Sequence, residues 1–227
     1  MTQLNIIVTG GFGELGTAVS HAFSLNGHNV CRVDFASAPV TIIDHTLDLA
    51  GVDLNKPLDC QKVTNAVKDK FGGIDVLVNI AGGFSWGMLD NSELSDWERM
   101  FGMNLLTAVS MTKAALPEIK QSHAGRIINI GAIGALSADA GMGAYASSKA
   151  SIHKFTESLA KELADTNTTV NAILPSTIDT KTNRAAMPDA DTSSWVKPES
   201  IADVIQFLSS TAARSISGAL IPISKGG

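Results

Sequence analysis

The chain reads as an α/β protein on one doubly wound parallel sheet with helices on both faces, and three features of the sequence carry that reading. Short apolar runs rich in β-branched residues alternate with stretches of helical periodicity from Leu4 to Ile223, the pattern of successive strand-helix-strand crossovers. The first run passes directly into a glycine-rich turn and a helix. A later run, Ile74 to Ile80 (IDVLVNI), is apolar almost without a break, as expected of a central strand covered on both faces. With 227 residues the chain suits a single domain over 1–227, and no internal repeat or low-complexity run divides it.

Leu4 to Thr9 predicts the first strand, and Leu15, Ala18, Val19, Ala22 and Phe23 recur at helical spacing after it. Between them lie Gly10, Gly11, Phe12, Gly13, Glu14, Leu15 and Gly16. Glycines there let the backbone approach a pyrophosphate, and the helix N-terminus offers free N–H groups and a partial positive charge. A second strand, Asn29 to Val33, ends in Asp34, 18 residues after Gly16. An acid at that distance suits a hydrogen bond to an adenosine ribose and repels a 2'-phosphate, so the expected cofactor is NAD, with NADH preferred over NADPH.

Between residues 36 and 58 two readings stay open for the third strand, since either Leu47-Asp48-Leu49 or Val52-Asp53-Leu54 can end it. Asp59 then reads as an N-cap; Val63, Ala66, Val67 and Phe71 form a helical apolar face, and Gly72 and Gly73 stop the helix. The Ile74 to Ile80 strand ends in Ala81, Gly82 and Gly83, small residues that allow close packing against backbone. Phe84, Trp86 and Met88 follow, equally suited to line a planar ligand's pocket or to plug a loop into the core.

Ser95 to Lys120 predicts one long helix with Trp97, Phe101, Leu105, Ala108, Val109 and Ala115 on its apolar face. Asn104 in its middle needs a partner if buried, which suggests a kink bridged by that side chain or by water; Pro117 weakens the final turns. Arg126 to Ile133 is the next strand, and Gly131 to Gly143 a loop of small residues leading into a helix over 142–164. Thr168 to Leu174 forms a strand ending at Pro175, Glu199 to Ser209 a helix, and Gly218 to Ile223 the last strand. The polar stretch 176–197 is either a lid or a surface loop, and its length favours a functional one.

The helix over 142–164 carries Tyr145, the chain's only tyrosine, and Lys149. Four residues apart, the two share one helical face, and an ammonium beside a phenol lowers its pKa from about 10 toward the range useful for proton transfer. Alone, such a pair is an ordinary surface feature; its weight comes from the dinucleotide pattern around it. The net charge of -5, with no long Lys/Arg cluster, argues against nucleic acid or an anionic membrane as partner and favours a small-molecule substrate. Residues 4–9 are too short for a signal peptide core and no run approaches a membrane span, so a soluble, cytoplasmic protein is expected. Cys31 and Cys60 show no metal-ligand spacing and read as free buried thiols, with no metal site expected.

From about Asn5 to Gly227 the chain resembles the short-chain dehydrogenase/reductase family. The marks are Thr9-Gly10-Gly11-Phe12-Gly13-Glu14-Leu15-Gly16, Asn79-Ile80-Ala81-Gly82, Asn104, Tyr145-Ala146-Ser147-Ser148-Lys149, and Pro175 with Ile178 and Thr180. The glycine spacing is T-G-x-x-G-x-x-G, with Glu14 where the commonest form has its second glycine. The resemblance implies a Rossmann-like fold, an NAD(P)H-dependent oxidoreductase, and a homodimer or homotetramer paired through the helices at 95–120 and 142–164. It implies Tyr145 as proton donor with Lys149 and Asn104 as its catalytic partners. It gives the pyrophosphate to residues 10–16, the ribose to Asp34 and the adenine to Asp53 with Leu54, a better match than Asp48. Asn79, Ala81 and Gly82 take the cofactor's centre, and Pro175, Thr177, Ile178 and Thr180 face the nicotinamide.

The serine that most members place 13 residues before the tyrosine is Ala132 here, and Ser137 is out of register. Losing an oriented hydroxyl donor costs a ketone reductase several kcal/mol. Dihydropteridine reductases, a branch of the family, also carry alanine there. The chain resembles them in Ala81-Gly82-Gly83 before an aromatic, Gly141-Met142 before Tyr145, Leu174-Pro175 leading to Asp179-Thr180, and Asn183-Arg184 through Met187-Pro188 to Ser193-Ser194-Trp195. Asn104 departs from that branch and agrees with the wider family. This resemblance implies NADH-dependent reduction of a quinonoid dihydropteridine, with Phe84, Trp86, Met187 and Trp195 on the substrate wall. The alternatives are a carbonyl or alcohol oxidoreductase lacking the usual serine, and a dinucleotide-binding sensor or scaffold without catalysis.

Overall fold

A computed structural model describes residues 3–225. Its strands are β1 (Asn5–Thr9), β2 (Asn29–Val33), β3 (Thr46–Leu49), β4 (Val76–Asn79), β5 (Arg126–Ile130), β6 (Thr169–Pro175) and β7 (Leu220–Ile223). Its helices are α1 (Glu14–Leu25), α2 (Pro57–Phe71), α3 (Leu94–Phe101), α4 (Thr107–Ile119), α5 (Gly143–Glu162), α6 (Lys181–Ala186) and α7 (Pro198–Ser209). The strands form one sheet in the order β3-β2-β1-β4-β5-β6-β7, parallel throughout. The chain winds outward from β1 to β3 and returns to β4 on the other side of β1, so a crevice opens where the strand order reverses, at the carboxyl ends of β1 and β4.

Successive residues of β1 serve opposite faces. Ile6 and Val8 join Val19 and Phe23 of α1 and Ile201, Ile205 and Leu208 of α7 in one core. Ile7 joins Val63 and Val67 of α2, Met111 and Ile119 of α4 and Leu159 of α5 in the other. The two-residue period of a strand, covered on both sides, is why the central runs lack polar alternation. Cys31 and Cys60 are free and buried as expected, and burial pushes the Cys60 thiol up to about 11.

The third strand is the Leu47-Asp48-Leu49 choice, and residues 52–54 belong to the loop after it. Asp59 is not the N-cap of α2: Pro57, whose fixed φ suits the first helical position, starts the helix one turn earlier and leaves Asp59 in the first turn, paired with Lys62. Gly72 ends α2 in the left-handed conformation at φ +89.

The single helix expected over 95–120 is interrupted. A π-helical turn, Gly102–Leu106, separates α3 from α4 and turns Asn104 inward, where it is 2% exposed. That widened turn is how a polar residue enters an apolar helix face without losing its partners. The stretch 176–197 is more ordered than a plain loop: it holds α6 and a bridge between Ile178 and Val196. No helix among the described residues is long and apolar enough to cross a membrane.

Candidate active site

A cavity of about 680 Å³ lies over the carboxyl ends of β1, β2 and β4, within the size range of small-molecule sites. Ten of the residues expected to hold a cofactor line it: Gly10, Gly13, Glu14, Leu15, Gly16, Asp34, Asp53, Leu54, Ala81 and Gly82. Gly10 is required by conformation and by space, since its φ is +62 and a Cβ there would stand 2.9 Å from the Ala81 nitrogen. A Cβ on Gly16 would overlap the Gly10 carbonyl, so α1 can start against the turn only without one. No side chain caps the first turn of α1, which leaves its backbone N–H groups for an anion. The Glu14 carboxylate instead turns away to accept the Lys181 N–H, at 2.9 and 3.1 Å, joining the glycine turn to α6.

Asp34 lies on the cavity wall at the carboxyl end of β2. Its two oxygens accept the N–H groups of Phe12 and Ala36, each at 3.0 Å, which fixes the carboxylate at the cavity wall. Gly11 and Phe12 do not line the cavity; Arg32 lies beneath them, its guanidinium 5.3 Å from the Phe12 ring centroid. Arg32 is wholly buried and forms a fork with Asp48, donating from Nε at 2.7 Å, while Nη1 donates to the Thr41 carbonyl. This pairing takes Asp48 out of the site and leaves Asp53 at the wall beside Leu54. Arg32 was not singled out from the sequence; its signal was a charged residue inside an otherwise apolar strand, opposite an acid on the next.

At the other end of the crevice Asn104 links three segments. Its Oδ1 accepts the Gly83 N–H at 2.8 Å, and its Nδ2 donates to the Gly83 carbonyl at 3.1 Å and to Ser148 Oγ at 2.9 Å. Ser148 in turn donates to the Tyr145 carbonyl at 2.7 Å, so the side chain clamps the segment after β4 onto the first turn of α5. A Cβ on Gly82 would stand 2.6 Å from Asn104 Oδ1 and 3.4 Å from Lys149 Nζ, so both side chains lie close to Gly82 at the cavity's edge, although Asn104, Tyr145 and Lys149 do not themselves line the cavity. Asn79 lies behind this, donating to Thr112 and Asn129, with its Oδ1 buried and unpartnered.

Lys149 is 6% exposed and donates to the Ile130 carbonyl at 2.8 Å; burial lowers its pKa to about 8. Tyr145 does not show the lowered pKa expected from its neighbour. Burial pushes it up to about 12, because the desolvation of the phenolate outweighs an ammonium already committed to a carbonyl. Among the described residues its hydroxyl has no hydrogen-bond partner, while the Phe84 ring meets it edge to face with centroids 4.9 Å apart. Trp86, beside Phe84, donates from Nε1 to the Ala140 carbonyl at 3.0 Å and packs so closely on Gly141 (φ +77) that a Cβ there would overlap the indole.

The remaining expected residues are placed less directly. Pro175 ends β6, the Thr177 carbonyl accepts the Val196 N–H at 2.9 Å, Ile178 bridges to Val196, and Thr180 caps α6. Met187 is 40% exposed at the end of α6. Trp195, expected on the substrate wall, is 7% exposed and so presents almost no surface; with Val196 in the core it anchors the loop. Ala132, at the position of the family's usual serine, is 5% exposed, and its N–H is directed to His153, which is not among the residues expected in the site. The signal was present: a histidine on the same helical face, four residues beyond Lys149.

Residues 4–191 match the family described as short chain dehydrogenase. Among curated relatives, 3-oxoacyl-(acyl-carrier-protein) reductase FabG of Vibrio cholerae is 28% identical over 232 residues, covering 97% of this chain and 95% of that protein. D-beta-hydroxybutyrate dehydrogenase of Cupriavidus necator is 28% identical over 241 residues, covering 94% and 93%. Among solved structures, a short chain dehydrogenase from Burkholderia cenocepacia in complex with NADP superimposes with a TM-score of 0.85 at 26% identity, covering 98% of this chain and 97% of that one. With a sheet that reverses at β1, a glycine turn over the crevice and Tyr145 above Lys149 on one helix, the chain belongs to the short chain dehydrogenase family of NAD(P)-dependent oxidoreductases.

Proposed function

We propose that the protein moves hydride from NADH to a flat, conjugated acceptor of the quinonoid dihydropteridine class. The observation that carries this reading is Ala132: a buried methyl stands where a carbonyl reductase of this family has its oriented hydroxyl, while the rim beside Tyr145 is aromatic, from Phe84 and Trp86. A conjugated ring spreads the incoming charge over several atoms and depends less on one donor at one oxygen.

The residues fit a dinucleotide through the glycine cradle at 10–16 and the fixed Asp34 carboxylate. When bound, the nicotinamide supplies the hydride. Lys149, close to Gly82 and held by the Ile130 carbonyl, would bind a ribose hydroxyl of the cofactor. Tyr145, a phenol protonated at neutral pH, is in the right state to give a proton as the acceptor is reduced, and burial pushes its pKa further up, to about 12. Asp34 repels a 2'-phosphate, and Arg32, the nearest basic residue along β2, is spent on Asp48 and Thr41, which supports NADH over NADPH.

A second reading, reduction of a carbonyl, is favoured by the reductase and dehydrogenase names of the relatives and by the intact set of Tyr145, Lys149 and Asn104. NADH oxidation followed with quinonoid dihydropteridine beside 3-oxoacyl and sugar carbonyls separates the two. Faster turnover of the dihydropteridine is the expected result. Turnover of carbonyls alone sinks the proposal in favour of the second reading, and tight NADH binding with neither substrate turned over leaves a binding protein without catalysis.

A further inference from the structure

At the carboxyl end of β5 the chain leaves the sheet through Gly131 and Ala132. The Gly131 N–H makes the last sheet bond, to the Ile173 carbonyl at 2.8 Å. The Ala132 N–H has no strand beside it and is buried, a position that is costly if left unpaired. His153 Nε2 accepts it, at 3.4 Å. The ring reaches this place only because Gly131 is bare, since a Cβ there would stand 2.6 Å from Nε2. One turn earlier on α5, Lys149 donates to the Ile130 carbonyl at 2.8 Å. Two side chains four apart on the Tyr145 helix therefore grip the same three residues, one at a carbonyl and one at an N–H.

We propose that His153 is a positioning residue of the hydride-transfer site: as a neutral imidazole it fixes the turn from Ile130 to Ala132 against α5 and so sets where the Ala132 methyl and Lys149 stand relative to Tyr145. This rests on the reading of the site given above. His153 is 3% exposed and touches no reacting atom itself; it acts through Lys149 and Ala132.

The surroundings favour the neutral ring. On its own helix Lys149 and Lys154 oppose a proton on His153 and Glu157 favours one, burial being the largest effect; the sheet side contributes Gly131, Ala132 and Leu174, which carry no charge. Its pKa therefore lies below the ordinary 6.5. A proton on Nε2 removes the acceptor, turns N–H toward N–H, and puts a second cation one turn from Lys149. The folded pKa being depressed, the contribution is complete above the unfolded value and is lost as pH falls through the folded one.

The test joins a spectroscopic and a kinetic measurement. The chain has five histidines, and comparison of side-chain nitrogen NMR spectra of wild type and His153→Gln identifies the His153 signal. The expected result is a proton on Nδ1, a bare Nε2, and resistance to protonation below pH 6.5. In NADH oxidation, wild type is expected to lose kcat on the acid side. His153→Gln, which accepts an N–H without titrating, flattens that limb, while His153→Leu loses about tenfold in kcat at neutral pH with the NADH dissociation constant changed less than twofold. A proton resident on Nε2 near neutrality, or an acid limb unchanged in His153→Gln, overturns the proposal. If His153→Leu does not fold, the glutamine variant decides alone. Wild type that binds NADH but turns over no acceptor counts against the proposed reaction; the NMR tautomer then decides the histidine's part, since it needs no substrate.

Discussion

The two ends of the crevice are built by different means. At the glycine-turn end the geometry is made by backbone over a short span of chain: Gly10 at φ +62, Gly16 against the Gly10 carbonyl, and Asp34 accepting from Phe12. At the Tyr145 end it is made by side chains from segments far apart: Trp86 on Ala140 and Gly141, Phe84 on Tyr145, Asn104 between Gly83 and Ser148. A backbone cradle admits few residue types and one ligand shape. A mosaic of side chains hung on loops can be exchanged without disturbing the sheet, which is how one family accommodates many acceptors on one cofactor site.

Tyr145→Phe tests the division most severely: turnover is expected to fall by about 10²–10⁴-fold while fluorescence titration finds NADH binding nearly intact. Equal losses in both would mean the ends are not separable. Asp34→Asn, at the other end, keeps an acceptor for the Phe12 N–H but removes the charge. Its expected effect is a shift of about tenfold to a hundredfold in the ratio of NADH to NADPH affinity, toward NADPH, with acceptor KM unmoved.

Gly141→Ala strains a left-handed residue and displaces the Trp86 indole. Steady-state kinetics should show acceptor KM rising about tenfold with NADH affinity unchanged; a loss confined to NADH would place the indole at the wrong end. Glu14→Ala has the smallest expected effect, because its carboxylate is exposed and its bond to Lys181 is worth about 0.5–1.5 kcal/mol. Amide exchange over 181–186 should quicken by roughly threefold to tenfold, since that bond is the tie between the glycine turn and α6. Unchanged exchange would show that the two ends are held apart without it.

The difference between the ends also governs how much was legible. The alternation of strands and helices, the glycine turn and Asp34 could be read because each depends on neighbours in the sequence: short apolar runs rich in β-branched residues, glycines directly after a strand, an acid at a strand end. The π-turn at Gly102–Leu106 was visible only as a polar Asn104 in a helical run, and its use as a clamp on Gly83 depended on where β4 ended. Trp195, expected on the substrate wall, is buried, because a bridge from Ile178 to Val196 folds the loop inward. Asp48 and Asp53 looked alike along the chain; only the fold engages Asp48 with Arg32 on the neighbouring strand and leaves Asp53 lining the cavity.

Residue types and their spacing were enough to establish the doubly wound sheet, the glycine turn after its first strand and the placement of Tyr145 and Lys149 one turn apart on one helix, since those rest on local periodicity and on backbone freedom. Only the folded chain decided the protonation states and the company of the site. Burial raises Tyr145 toward 12 and lowers Lys149 toward 8, opposite to the coupling that their four-residue spacing alone suggested for the phenol, and the carbonyl of Ile130 and the ring of His153 come from contacts across the fold. Desolvation is set by everything packed around a group, and a linear sequence specifies its neighbours along the chain but not those that enclose it.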